Sequence, residues 1–187
     1  MTKGRNRGGR IAVILILVTA ILMGGGLWYA QTRGYYAPVD GPVTLTLAAP
    51  DGSLTTLPAR EVEAIASSSS PLGFRACFRH ELDVAALGTE IPVETRLDAA
   101  PTIAPGWFGC FDADRIGELL ASGEARALTA YPNAGYGVDR IVALTADGRG
   151  WAWHQLNDCG ARAYDGTPVG DTCPDRDTYE PLIEGQI

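Results

Sequence analysis

Lysine is almost missing from this sequence: the single one is Lys3. Residues 34–187 set 22 Asp and Glu against 10 Arg, a net charge of −12. Such a surface repels nucleic acid and anionic lipid headgroups, so a nucleic-acid-binding domain is excluded. It suits solubility or a basic partner. Histidine is scarce as well, with only His80 and His154, and the four cysteines contain no Cys-x-x-Cys pair. Structural zinc sites are built from close ligand pairs, and redox dithiols from Cys-x-x-Cys, so neither a metal nor a cofactor site is expected. The nucleophile elbow Gly-x-Ser-x-Gly, the phosphate loop and His-Glu-x-x-His are all lacking. No catalytic residue set emerges from motif or spacing.

What the sequence does have is one long uncharged run, Ile11 to Tyr29. Nineteen residues at about 1.5 Å each give a helix of roughly 28 Å, close to the hydrocarbon thickness of a bilayer. Lys3, Arg5, Arg7 and Arg10 precede it, and only Arg33 follows closely. The positive-inside rule then keeps the N-terminus in the cytoplasm and sends the rest across the inner membrane. Trp28 and Tyr29, with Tyr35 and Tyr36, stand where interfacial aromatics belong. A cleaved signal peptide is the rival reading. It has a shorter apolar core and needs a small-x-small site, which Trp28-Tyr29-Ala30 does not supply. Both readings export the domain.

The organisation expected is a cytoplasmic basic tail (1–10), a transmembrane helix in contact with membrane lipid (11–30), a linker (31–42), a disulfide-stabilised periplasmic domain (43–175) and an acidic, loosely ordered tail (176–187). The domain is large enough for one proper core. An even number of cysteines in an exported domain predicts disulfides. Cys77, Cys110, Cys159 and Cys173 allow three connectivities. Cys77–Cys110 with Cys159–Cys173 is favoured, because the latter two bracket a single turn-rich segment.

The fold class predicted is α+β: a mostly antiparallel sheet, a central Asp-Gly hairpin and one main soluble helix, after the N-terminal transmembrane helix. Val43 to Ala48 alternates apolar and polar residues, and Pro50-Asp51-Gly52 marks a turn back into Leu54–Leu57. Glu61–Ile65 reads as a short strand or a helical turn. Phe74–Arg79 and Pro92–Leu97 read as strands. Ala113–Ser122 is the helix, with Asp112 as N-cap, Phe111 and Ile116 placed as a hydrophobic staple, and Gly123 as the stop. Ile116, Leu119 and Leu120 form its buried stripe. Ala125–Tyr131 is a strand, followed by a tight loop to Gly137. Val138–Ala146, Asp147-Gly148 and Arg149–Leu156 form the hairpin. A two-residue turn there pairs Leu144 with Trp151, Val142 with Trp153 and Ile141 with His154.

His154 is the sharpest catalytic candidate by residue type, as a general base. Its place on a largely apolar hairpin face favours a structural role instead. His80 is expected on a solvated edge. Trp107, Tyr131 and Tyr136 lie on Gly- and Pro-rich loops, where rigid aromatics are enriched as binding hot spots, and are the candidate partner-binding residues.

Several stretches resemble a known family. Phe74-Arg-Ala-Cys-Phe, Pro105-Gly-Trp-Phe-Gly-Cys-Phe-Asp-Ala, Ser122-Gly-Glu-Ala, Tyr136-Gly-Val-Asp-Arg-Ile-Val-Ala, Asp147-Gly-Arg-Gly-Trp-Ala-Trp-His-Gln-Leu-Asn and Cys159-Gly are similar to a family of short, single-span alphaproteobacterial proteins whose domain has no known function. The resemblance covers the anchor and most of the exported domain. It implies an inner-membrane protein facing the periplasm. It carries no activity, cofactor or catalytic residue. Members are sometimes labelled histidine kinases, a label this sequence does not support, since it has neither the length nor the nucleotide-binding glycine motifs of a kinase. The expected function is a non-catalytic, membrane-anchored periplasmic domain that binds a protein partner, as an accessory subunit or assembly factor of an inner-membrane complex. The alternative is a periplasmic or envelope enzyme using His154 as general base.

Overall fold

The computed structural model describes residues 7–170 and 173–182. The chain divides into two units, residues 1–35 and 36–187. The first is the helix α1, Arg7–Tyr29, continued by one π-helical turn, Ala30–Gly34. Residues 8–29 have a mean hydropathy of 2.5 and bury nothing within the protein. By length and composition this helix can cross a membrane.

The second unit is built on a six-stranded, fully antiparallel sheet in the order β1–β4–β5–β8–β7–β6. Its strands are β1 (Tyr36–Pro38), β4 (Ala59–Ser67), β5 (Arg75–His80), β6 (Ala125–Gly135), β7 (Val138–Thr145) and β8 (Arg149–Leu156). A separate hairpin, β2 (Thr46–Ala48) with β3 (Leu54–Thr56), forms around the Pro50–Gly52 turn. β7 is buried along its whole length, which explains why both of its faces are largely apolar in sequence apart from Asp139, Arg140 and Thr145. On one face, Leu45, Leu47 of β2, Leu57, Val84, Leu87 and Val93 cover Val142, Leu144 and Ala152. On the other, Phe108, Phe111 and the helix α2, Ala113–Ser122, cover Ile141, Ala143, Trp151 and Trp153.

α2 forms as its local sequence dictates. The Asp112 side chain accepts from the Arg115 N–H, and Gly123 closes the helix at φ 78, a left-handed conformation that an L side chain resists. Ile116 and Leu119 are buried, Leu120 is half-buried, and Phe111 shares their cluster. Cys77–Cys110 ties β5 to the start of this helical segment, and Cys159–Cys173 closes the later loop. There is no free cysteine among the described residues.

The structure corrects the hairpin register. Ile141 pairs with Trp153, Ala143 with Trp151 and Arg140 with His154, one residue away from the expected pairing. The connection is three residues, 146–148, with the Gly148 N–H bonded to the Thr145 carbonyl and Gly148 at φ 82. The third residue supplies the left-handed step of a bulged turn, and a one-residue slip turns every β8 side chain to the other face. Trp151 and Trp153 therefore face α2 beside Ile141 and Ala143, while His154 lies on the opposite side.

Other segments settle an open alternative or depart from expectation. The linker contributes β1, because its backbone finds a partner in β4. Glu61–Ile65 is strand, with Glu61 at φ 52 in a bulge where the register to β5 shifts. Residues 92–97 make only an isolated bridge, Thr95 to Leu128, instead of a strand. β6 runs on through the expected loop to Gly135, broken by two register shifts. The early part of the C-terminal tail lies on the domain. The Leu182 N–H donates to the Ala134 carbonyl and the Tyr179 hydroxyl to the Asn133 carbonyl. Residues 183–187 fall outside the described residues.

Candidate functional site

His154 is held in a closed setting. Its Nδ1–H donates to the Pro71 carbonyl at 2.5 Å, and its Nε2 accepts from Arg140 Nε and Nη2 at 3.1 and 3.0 Å. Its ring stacks on Phe74 with centroids 4.8 Å apart, and the Arg140 guanidinium lies 4.0 Å from the same Phe74 ring. Burial, then the positive charges of Arg140 and Arg75, push its pKa down to about 3, against a smaller opposing effect of the Pro71 carbonyl. The ring is neutral at physiological pH. Its only basic nitrogen is already occupied by two guanidinium donors. A general base needs a lone pair within reach of a substrate proton, and here Nε2 is engaged by Arg140. His80 is also buried, not on a solvated edge as expected. It ends β5 against the 145–149 turn, and burial lowers its pKa, with the Arg149 and Thr145 carbonyls and Asp147 offsetting part of the effect.

A polar cleft of about 760 Å³ lies around Arg96 and Asp139. Asp139 accepts from Arg96 Nη1 at 2.8 Å, from the Asn133 N–H at 2.9 Å and from Asn157 Nδ2 at 2.7 Å. The network joins the loop before α2 to the ends of β6 and β8. Its carboxylate is already satisfied, which makes it a brace and not a vacancy. Among the described residues no group of three or more His, Cys, Asp or Glu is disposed to hold a metal ion.

The sheet leaves part of one edge without a strand partner among the described residues. β1 covers only the end of β4: Tyr36 pairs with Ser67, Ala37 with Ala66 and Pro38 with Ile65, and the Val39 N–H reaches the Ala64 carbonyl. Among the described residues no strand lies along residues 59–63 on that side. The opposite edge, β6, is treated differently. There the Arg96 N–H bonds the Ala127 carbonyl and the Thr129 N–H bonds the Glu94 carbonyl, so that edge is covered.

Two cavities flank the open stretch and share Glu63. One, of about 420 Å³, is lined by Val39, Val62, Ile65, Trp107 and Phe108. The other, of about 300 Å³, is lined by Glu61, Arg79, Arg149, Trp151 and the Cys77–Cys110 bridge. The loop carrying Trp107 is fixed from several sides. Its ring meets Phe108 edge-on at 6.2 Å, the Phe108 N–H bonds the Pro105 carbonyl, Trp151 Nε1 donates to the Cys110 carbonyl at 3.2 Å, and the disulfide anchors Cys110 to β5.

The three aromatic candidates are thus separated. Trp107 stands at the open edge. Tyr136 meets Tyr179 edge-on at 5.8 Å and lies under Arg176 at 4.5 Å, so it helps seat the C-terminal segment. Tyr131 is half-buried on β6, opposite Arg140. Glu61 and Val62 carried no functional signal in sequence. Their position became meaningful only once β1 was seen to stop short of them.

An apolar N-terminal helix followed by a disulfide-braced, antiparallel α+β domain defines the class of this protein. The domain's sequence places it more narrowly: the model of DUF6446, a family of unknown function, matches residues 43–174, and the chain belongs to that family. No curated protein and no solved structure matches the chain.

Proposed function

We propose that this protein is a single-pass, inner-membrane protein whose domain faces the periplasm and binds a protein partner without catalysis. It serves as an accessory subunit or assembly factor of a membrane complex. The observation that carries this reading is the uncovered edge of β4 beside the rigidly held Trp107. An open strand edge is a pairing template that soluble domains ordinarily cover or blunt. The two disulfides fit an oxidising compartment, and the basic residues before α1 orient the helix with its N-terminus inside. The setting of His154 speaks against the enzyme alternative.

The test is affinity purification of the full chain from membranes solubilised in mild detergent, followed by the reciprocal purification from the protein recovered. The expected result is one stoichiometric partner found in both directions. A chain that elutes alone, as a monomer, under every mild detergent refutes the reading.

A further inference from the structure

We infer that the partner contributes an extended segment that adds as a strand to the free edge of β4 at residues 59–63, placing an apolar side chain against Trp107 and a basic side chain, two residues away, against Glu61 and Glu63. This inference rests on the protein-binding function proposed above and specifies its chemistry.

The backbone gives the mode of binding. Residues 59–63 belong to β4, pair to β5 at Ala59, Arg60 and Glu63 around the bulge at 61–62, and lack a strand on the other side among the described residues. Strand addition uses main-chain hydrogen bonds for affinity and pockets for alternate side chains for specificity. Both cavities lie alongside this edge and meet at Glu63. Side chains two apart on a strand point the same way, about 6.8 Å from each other. A bound strand can therefore fill the Trp107 compartment and reach the Glu61 and Glu63 compartment from one face.

The charges select the occupant. Arg149 is paired with Asp147, and Arg60 with Glu81. Glu61 and Glu63 make no ion pair among the described residues, and both are exposed. Against them the compartment offers Arg79, which leaves one negative charge in excess. The domain as a whole is strongly acidic, which steers a cationic segment toward it. A second copy of this chain is a poor occupant. Pairing β4 with another β4 sets Glu61 and Glu63 against their own counterparts, and like charges facing each other across strands destabilise the pairing.

The probe is the capped peptide Thr-Leu-Thr-Arg-Thr, added to isotope-labelled full chain in zwitterionic detergent micelles and followed by NMR. The expected result is chemical-shift change at the amides of 59–63 and the Trp107 indole, with the same peptide carrying Glu in place of Arg binding at least tenfold more weakly. Glu63→Lys is an exposed substitution and should reverse the preference between the two peptides. Trp107→Ala should weaken both. Shifts centred elsewhere, equal binding of the two peptides, no binding, or a β4-mediated homodimer would each overturn the inference. The natural partner separates this failure from failure of the broader function. If it co-purifies equally well with wild type, Glu63→Lys and Val62→Pro, partner binding stands and the strand-addition mode falls. If no partner is recovered with wild type, the function itself falls.

Discussion

Acidification should unfold this domain through His154, and the size of the effect follows from its surroundings. The ring is buried and bonded to the Pro71 carbonyl and Arg140; burial first, then the charge of Arg140 on β7 and, more weakly, that of Arg75 on β5, lower its pKa to about 3. In the unfolded chain a histidine titrates near 6.5. The folded state therefore binds fewer protons than the unfolded state between these values, and stability must fall as pH falls. The contribution is complete above about pH 6.5 and is lost progressively toward pH 3. Each pH unit inside that window costs about 1.4 kcal/mol, so the step from pH 7 to pH 5 removes about 2 kcal/mol. That is a large share of a typical domain's net stability. His80, whose pKa burial also lowers, acts in the same direction. Most carboxylates titrate below pH 5, so the interval from 7 to 5 isolates the histidines. The assay is urea unfolding of the full chain in detergent, read by tryptophan fluorescence at fixed ionic strength. His154→Gln keeps an acceptor for Arg140 and a donor for Pro71 but cannot titrate. It should cost about 1–3 kcal/mol at pH 7 and flatten the pH slope. His80→Gln measures the other share. Stability unchanged between pH 7 and pH 5, or an NMR titration of the His154 ring near 6.5, would refute the reasoning.

Further outcomes follow from the covalent frame, the core and the anchor. Alkylation without reductant should modify no cysteine, as mass spectrometry would show, and one labelled thiol would contradict the pairing. Replacing Cys77 and Cys110 together by Ser should cost about 3.8 kcal/mol and replacing Cys159 and Cys173 about 3 kcal/mol in the chain-entropy picture, the longer loop mattering more; a reversed order in urea unfolding would count against it. Ile116→Ala, at the fully buried face of α2, should cost about 2–5 kcal/mol, whereas a change within error would mean that α2 does not seal that side of the sheet. A C-terminal alkaline phosphatase fusion should be active, and protease added to spheroplasts should digest the domain. Protection of the domain would reverse the orientation and reopen the case for a cytoplasmic thiol or metal site.

The features legible in the sequence are those that a few neighbouring residues decide. An unbroken apolar run makes α1 whatever surrounds it. Asp112 and Gly123 fix the ends of α2 through bonds that span three residues. Alternation around Asp147-Gly148 makes a hairpin, and the single turn-rich segment bracketed by Cys159 and Cys173 favours the cysteine pairing that the structure contains. Tertiary structure alone decided the rest. Period-two alternation specifies a register only when one face is polar. β7 and β8 are largely apolar on both, so a third turn residue could slip the pairing by one and set Trp153 beside Ile141 and His154 beside Arg140. The charge state of His154 depends on the Pro71 carbonyl, 83 residues away, and on Arg140 across the hairpin. The open edge of β4 depends on where β1, read as a linker, ceases to pair. Each of these is a contact between segments whose own sequences are compatible with several partners, and only the packing of the whole sheet selects among them.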